Sequence, residues 1–384
     1  VGPSPVQVSK TPFSPPLPAQ PVYQVDFTSN HLQAAQFPFS VWAKLMRQVL
    51  SQRGPDLLRP VPHSGVPELR EAIAGTLYRL RGLSVSPEQI VVGSGSEYLY
   101  NLIVQLLGRK LVYGVEDPGY PKPARIYALN GARCISLPVD GQGISPQTLA
   151  ASPAQVVHLS PSHQFPTGAV TPAGRRQALL RWAAQGGDRY LIEDDYDSEF
   201  RFTGLPIPAL QSIDQADRVI YLNTFSRALA PSLRISYLVL PPTLLDRYHQ
   251  RLGFYSSTVP ALEQYTLASF LSEGRFEQHL SRARNRYRAL RDQVLEALEA
   301  SGLAGRAQIS GADAGLHFLV RLETERGDQE LTQLARARGI RLSFLSEFCA
   351  SPGPEHQHFL VISYPGIQME RLPQTLRELA ALLH

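Results

Sequence analysis

The chain has 384 residues, of which 43% are hydrophobic and 18% charged, and its formal net charge is +4 with an isoelectric point near 9.0. That length buries a large core and normally makes two subdomains, so a disordered polymer is excluded. No apolar run is long enough to cross a membrane, the start is Pro-rich rather than basic-then-apolar, and Cys134 and Cys349 lack CxxC spacing, which together exclude a membrane span, a signal peptide and a disulfide framework and fit a reducing cytoplasm. The mild basic excess reads as Arg scattered over solvated helix faces rather than as a nucleic-acid footprint.

In chain order, residues 1–23 are Pro-rich without helical or strand period and read as an extended linker or arm. An amphipathic helix is expected over Phe37 to Leu50, and another over Pro67 to Gly82, where Pro opens and Gly closes the pattern. QIVVGSGSE then joins a short apolar strand to a helix through Gly93 and Gly95. Strand-like runs follow at Leu111–Val115, Cys134–Leu137, Val156–Leu159, Tyr190–Glu193, Val219–Leu222 and Ile235–Leu240, with helices between them, notably Pro172 to Gln185 and Pro242 to Leu252. Alternating strands and helices with fully apolar strands imply a mostly parallel sheet covered on both faces. A long helix, about Arg275 to Ala300, leads into a smaller α+β region with strands Leu316–Leu322 and His358–Ser363 and helices Glu330–Arg338 and Leu372–Leu383. No internal repeat is present.

Five stretches carry chemistry. In YLNTFSRALAPSLRISY, Thr224, Ser226 and Arg234 supply two hydroxyls and a guanidinium that can converge on one phosphate. The Gly93–Glu97 turn before a helix is either structural or an anion site, and without GxGxxG or a P-loop Lys it is not a dinucleotide or ATP motif. EDPGYPK, Glu116 to Lys122, follows a strand and so sits at a ligand-binding sheet edge. SPSHQFPTG, Ser160 to Gly168, is a turn in which His163 and Gln164 are either pocket-facing or structural. LIEDDYDSEF runs a strand into Glu193, Asp194, Asp195, Asp197 and Glu199; a hard-cation site is the chemical alternative there, but the spacing is not that of an EF-hand and no metal is expected.

TFSRALAPSLR resembles the TFS-Lys-x-LAPxLR stretch of fold-type-I enzymes dependent on pyridoxal 5′-phosphate (PLP), in the form found in the aminotransferase-like domain of MocR/GabR-type transcription regulators of the GntR superfamily. The resemblance extends from about Tyr23 to the end. It implies a large PLP-binding α/β domain over 41–270 and a smaller α+β domain over 271–384, with residues 24–40 packing near the latter. It implies that Gly95, Ser96 and Glu97 hold the cofactor phosphate through backbone groups, together with Thr224, Ser226 and Arg234. Tyr120 would stack on the pyridine, Asp194 face its nitrogen, and Tyr196 contact the phenolic oxygen. Lys122 and His163 would face the effector. Phe165 stands where aminotransferases carry Asn, as in the regulators. Val361 falls where aminotransferases carry the Arg that binds a substrate carboxylate; Arg341 and His358 are the nearest substitutes.

Arg227 stands at the Schiff-base Lys position. A neutral amine must attack the PLP aldehyde, and a guanidinium with a pKa above about 12 stays protonated. No Lys follows Lys122 in the sequence, so no other lysine of the second half can replace it. PLP is therefore expected to bind non-covalently, as free aldehyde or already joined to an amino compound, with turnover nil or very slow. The family forms homodimers with active sites at the interface, and its winged helix-turn-helix domain, which would make the DNA contact, precedes the Pro-rich linker and is not in residues 1–23. The expected function is the effector-sensing domain of such a regulator, responding to PLP or a PLP-linked amino compound. A stand-alone class I/II aminotransferase, inactive or altered at Arg227, and a scaffold without cofactor are the other readings.

Overall fold

Short aliphatic runs become strands, and their burial decides where each one sits. The residues of Val156–Leu159 and Tyr190–Asp194 are buried throughout, as central strands with helices on both faces must be. The structure is a computed structural model that describes residues 23–29, 36–202, 207–303 and 305–383; the Pro-rich arm falls almost wholly outside them.

In chain order the strands are β1 (Val25–Asp26), β2 (Ile90–Gly93), β3 (Val112–Asp117), β4 (Arg133–Asp140), β5 (Gly143–Ile144), β6 (Val156–Leu159), β7 (Tyr190–Asp194), β8 (Val219–Thr224), β9 (Ser236–Val239), β10 (Ala307–Ser310), β11 (His317–Leu322), β12 (Ile340–Arg341) and β13 (Phe359–Ser363). Eight of them make one sheet in the order β2-β9-β8-β7-β6-β3-β4-β5. β8, β7, β6, β3 and β4 pair in parallel, β9 runs antiparallel to both β8 and β2, and β5 turns back on β4. β9 reverses because only residues 225–235 separate it from β8, too few for a crossover; its apolar composition carries no direction. β2, β3, β4, β6, β7 and β8 therefore all point the same way.

The first four α-helices are α1 (Phe39–Arg53), α2 (Pro67–Arg81), α3 (Ser96–Leu107) and α4 (Pro121–Leu129). Pro67 opens α2, and Gly82 closes it at φ +64° with its N–H bonded back to the Tyr78 carbonyl. α3, α4 and the helix Leu245–Leu252 cover one face of the large sheet; the helix Ala173–Ala184 covers the other. Each fully buried Leu, Ile or Val contributes about 1.5–3 kcal/mol, so these two layers dominate the stabilisation of the sheet. A further apolar cluster joins α1, α2 and the helices Ala261–Ser272 and Arg275–Glu299 to an antiparallel sheet β10-β11-β13. β1 pairs in parallel with β12, which ties residues 23–29 to that smaller region. The Arg-rich side of the helix Arg275–Glu299 is not wholly solvated: Arg284 donates to the Glu199 carbonyl and Arg288 to the Phe202 carbonyl, so it clamps the segment after β7.

One buried cation holds the loops leaving the sheet. The Arg176 guanidinium, fully enclosed, donates to the carbonyls of Thr171 (2.9 Å), Pro208 (2.8 Å) and Pro161 (2.7 Å) and stands 3.7 Å from Glu193. Removing one member of such a set leaves the others buried and unpaired. Arg176→Met should lower unfolding free energy by about 3 kcal/mol or more in urea denaturation; an unchanged midpoint would show that those carbonyls find other donors.

Candidate functional site

Because β2, β3, β6, β7 and β8 point the same way, the turns leaving them gather at one edge, the usual place for a ligand in an open α/β sheet. A cavity of about 250 Å³ opens there. Asp194, the last residue of β7, lies at its floor and is only 7% exposed. Its Oδ2 accepts from the Tyr100 hydroxyl at 2.7 Å and lies 3.2 Å from His158 Nε2. On the other side of that ring, Nδ1 is 2.7 Å from the Tyr127 hydroxyl. Burial pushes the Tyr127 and Tyr100 hydroxyls well above their usual range, with the Asp194 charge adding to the rise at both. A carboxylate can only accept, so His158 Nε2 donates to Asp194, and Nδ1 of a neutral ring then accepts from the Tyr127 hydroxyl. The carboxylate is held by a buried chain of three donors.

A second cluster is built from turn geometry. Gly95 takes φ +93° before α3, and a Cβ there would run into the Arg234 guanidinium. The amides at the start of α3 form a site suited to an anion. Across from them, the Thr224 hydroxyl accepts from the Ser226 amide at 3.1 Å and from Ser236 Oγ at 2.8 Å, while Ser226 Oγ is buried with no partner. Arg234, at φ +52°, brings a guanidinium to the same place. Its Nη2 is 3.1 Å from Glu97 Oε2, and Lys122 holds the other Glu97 oxygen. The Lys122 bond holds the Glu97 carboxyl below its usual range.

Of the residues singled out in the sequence, Ser96, Tyr120, Asp194 and Tyr196 lie in the cavity wall, as do Thr224, Ser226, Arg227 and Arg234. Gly95 packs under Arg234, and Glu97 pairs with it from outside the wall. Arg227 makes no hydrogen bond or ion pair among the described residues; its guanidinium carbon stands 5.9 Å from the Tyr196 ring centre. Tyr120 is 43% exposed and meets Phe165 edge-on at 6.1 Å. Lys122 and His163 are not brought into this wall: Lys122 is committed to Glu97, and His163 lies deeper, 2.9 Å from Asp197 and 3.2 Å from the Tyr196 hydroxyl. Val361 is buried in β13 opposite Leu319, Arg341 pairs with Asp26, and His358 sits by Asp328; none lines the cavity.

Three wall residues escaped sequence reasoning: Tyr100, His158 and Glu116. Tyr100 and His158 sit inside a helix and a strand that read as core, so only the distant Asp194 gives them meaning. Glu116 had a signal, an acid ending an apolar strand. Its Oε2 accepts from the Ser160 amide at 3.1 Å, and Gln164 Nε2 lies 3.4 Å away. Burial nevertheless pushes this carboxyl up to about 8. In the unfolded chain it ionises near its ordinary value, so between there and about pH 8 the unfolded state holds fewer protons and stability falls as pH rises. Glu116→Gln should remove that fall: its stability gain over the parent should be near zero at pH 4 and on the order of a few kcal/mol at pH 8, read by urea denaturation across the range. A gain that is constant with pH would show that Glu116 is ionised in the fold.

The family described as aminotransferase class I and II matches residues 23–379. The HTH-type transcriptional regulator YdeL of Bacillus subtilis is 40% identical over 318 residues, which are 83% of this chain and 68% of YdeL. The probable rhizopine catabolism regulatory protein MocR of Rhizobium meliloti is 34% identical over 357 residues, 92% of this chain and 71% of MocR. Among solved structures, LysN, the α-aminoadipate aminotransferase of Thermus thermophilus complexed with N-(5′-phosphopyridoxyl)-L-leucine, aligns with a TM-score of 0.81 at 25% identity, covering 93% of this chain and 91% of LysN.

Proposed function

Because this chain belongs to the class I and II aminotransferase family, with HTH-type transcriptional regulators among its relatives, we propose that it is the PLP-binding, effector-sensing part of a MocR-type regulator in which DNA contact comes from another segment. The observation that carries the reading is one cavity whose wall holds both a donor-held carboxylate and an anion cup; by the sequence resemblance, Arg227 in that wall would take the position of the covalent lysine. The donor set fits the cofactor. Ser226 Oγ is buried and unpartnered, Ser96 at the start of α3 lines the cavity, and a glycine makes room for the Arg234 guanidinium.

In this reading Thr224, Ser226, Arg234 and the Gly95–Glu97 turn would hold the phosphate, Asp194 the pyridine nitrogen, and Tyr120 and Tyr196 the ring and its phenolic oxygen. When bound, PLP supplies an electron sink for amino compounds joined to its aldehyde. The chain's own residues hold and orient the ligand. His158 and Tyr100 fix the Asp194 carboxylate in place, so it faces the cavity without reorganising. Arg227 offers a permanent cation that attracts a phenolate or carboxylate and has no lone pair with which to attack. Ligands would then exchange rather than turn over, which suits a sensor. Phe165, in place of an Asn, gives that side of the wall an apolar surface edge-on to Tyr120.

The test is a PLP titration of the purified chain by absorbance, followed by borohydride treatment and mass spectrometry. Saturable binding with no added mass is expected, while Arg227→Lys should acquire one trapped PLP at that residue. Arg234→Ala should weaken binding by roughly tenfold or more, the loss expected for one charge-assisted bond. A borohydride-stable adduct on the native chain, or no saturation at millimolar PLP, sinks the reading.

A further inference from the structure

Three side chains that the proposed sensing role leaves unused meet below the cavity. His163 follows β6, Asp197 follows β7 and His317 opens β11, so both sheets contribute. They are 3%, 3% and 4% exposed. Each offers a donor atom, and those atoms lie within 4.8 Å of one another. The imidazole centres are 4.6 Å apart.

Two features separate this cluster from an ordinary buried polar network. First, each ring is anchored on one side only. His163 Nδ1 is bonded to Asp197 Oδ2 at 2.9 Å and His317 is bonded to the Pro166 carbonyl, yet Nε2 of both rings is buried with no partner. His317, with a carbonyl on one nitrogen and the other left free, has the arrangement that orients a metal-ligating histidine, whereas His163 and Asp197 would offer the ion Nδ1 and Oδ2, the two atoms now hydrogen-bonded to each other. Second, space has been cleared. Gly315, at φ +72°, is the only residue type that fits, because a Cβ there would run into the His163 ring and stand 2.7 Å from Asp197 Oδ2. A cavity of about 10 Å³, lined by Asp197, His317 and Tyr196 but not by His163, has room for one water-sized species next to the cluster.

We infer that His163, Asp197 and His317 form a binding site for one divalent transition-metal ion of the zinc type. Two imidazole nitrogens and one carboxylate oxygen suit zinc, nickel or copper, whereas calcium and magnesium require an oxygen shell. Ligands of a tetrahedral zinc stand about 3.4 Å from one another, so the His163–Asp197 pair, now 2.9 Å apart, would open by about half an ångström on loading. The Tyr196 hydroxyl, 3.2 Å from His163 Nδ1, is the nearest further oxygen. Arg227 lines the same small cavity, and its charge opposes the ion. Its replacement by an uncharged residue therefore favours the metal.

The test uses the full chain, freed of metal with a chelator and without PLP, titrated with zinc against a chromophoric competitor. One zinc per chain is expected. His317→Gln and Asp197→Asn should each weaken it by about tenfold or more, and Arg227→Met should tighten it. His63→Ala, which breaks the exposed His63–His249 pair, should leave it unchanged. Cobalt in place of zinc gives visible bands of a mixed nitrogen–oxygen shell on the native chain, a readout that does not depend on any variant folding. Absence of stoichiometric uptake, or uptake abolished by His63→Ala and kept by His317→Gln, overturns the site and leaves a water molecule on the two imidazoles. Because no PLP is present, that failure is separate from any failure of the cofactor reading.

Discussion

A carboxyl group taken out of water costs several kcal/mol unless donors replace the water, and Asp194 is placed at the end of β7 where three elements must cooperate to supply them. α3 brings Tyr100, β6 brings His158, and α4 brings Tyr127 behind His158. The pairing register that sets His158 beside Ile192 also sets its ring within reach of Asp194, two residues on. Slipping β6 by one residue would turn His158 to the opposite face and strand the carboxylate. The floor of the cavity is thus fixed by the same packing that holds the sheet together.

Around that floor the charges are balanced by competition. Arg234 and Lys122 share Glu97 at the mouth, and a ligand phosphate would contend with Glu97 for Arg234. Both pairs are about half exposed, so each is worth little in stability and is easily exchanged. Arg227 differs: among the described residues it makes no hydrogen bond or ion pair, and its guanidinium stands 5.9 Å from the Tyr196 ring centre. In the proposed reading Arg227 would attract an arriving anion without first giving up an ion pair, so the cavity would keep a cationic bias with no amine there to attack.

How far the sequence announced this depends on the range of each interaction. Strands read from β-branched runs appear within a few residues of their places, and the sheet is mostly parallel as their alternation implied. Local signals also marked the turns, because Gly95 and the hydroxyls of Thr224 and Ser226 act on near neighbours. The helices Pro121–Leu129 and Ala261–Ser272 and the strand β10 were not foreseen; the first follows a Pro-rich turn and β10 is largely exposed. Partners of Asp194 were illegible for another reason. His158 lies in a strand of Val and Leu, and Tyr100 in an apolar helix, where each reads as core until the fold brings a carboxylate to it. The His163–His317 contact is further still from sequence reasoning, since it crosses from the large sheet to the small one.

That crossing bears on how occupancy is felt elsewhere. Tyr120, at the cavity mouth, touches Phe165 edge-on, and Phe165 in turn meets Phe348 at 5.0 Å and His317 at 4.9 Å. The Gly119 amide donates to the Phe348 carbonyl, and the Ala350 amide to Asp117. The same segment follows β12, which pairs with β1 near the start of the described chain. A ring seated against Tyr120 would therefore press on the small sheet through these aromatic contacts and hydrogen bonds rather than through the strands of the large sheet. In the proposed reading, movement at the mouth would reach β1 by this short path while the donor-held Asp194 floor moved less, a separation of rigid reader and movable wall that would suit a sensor.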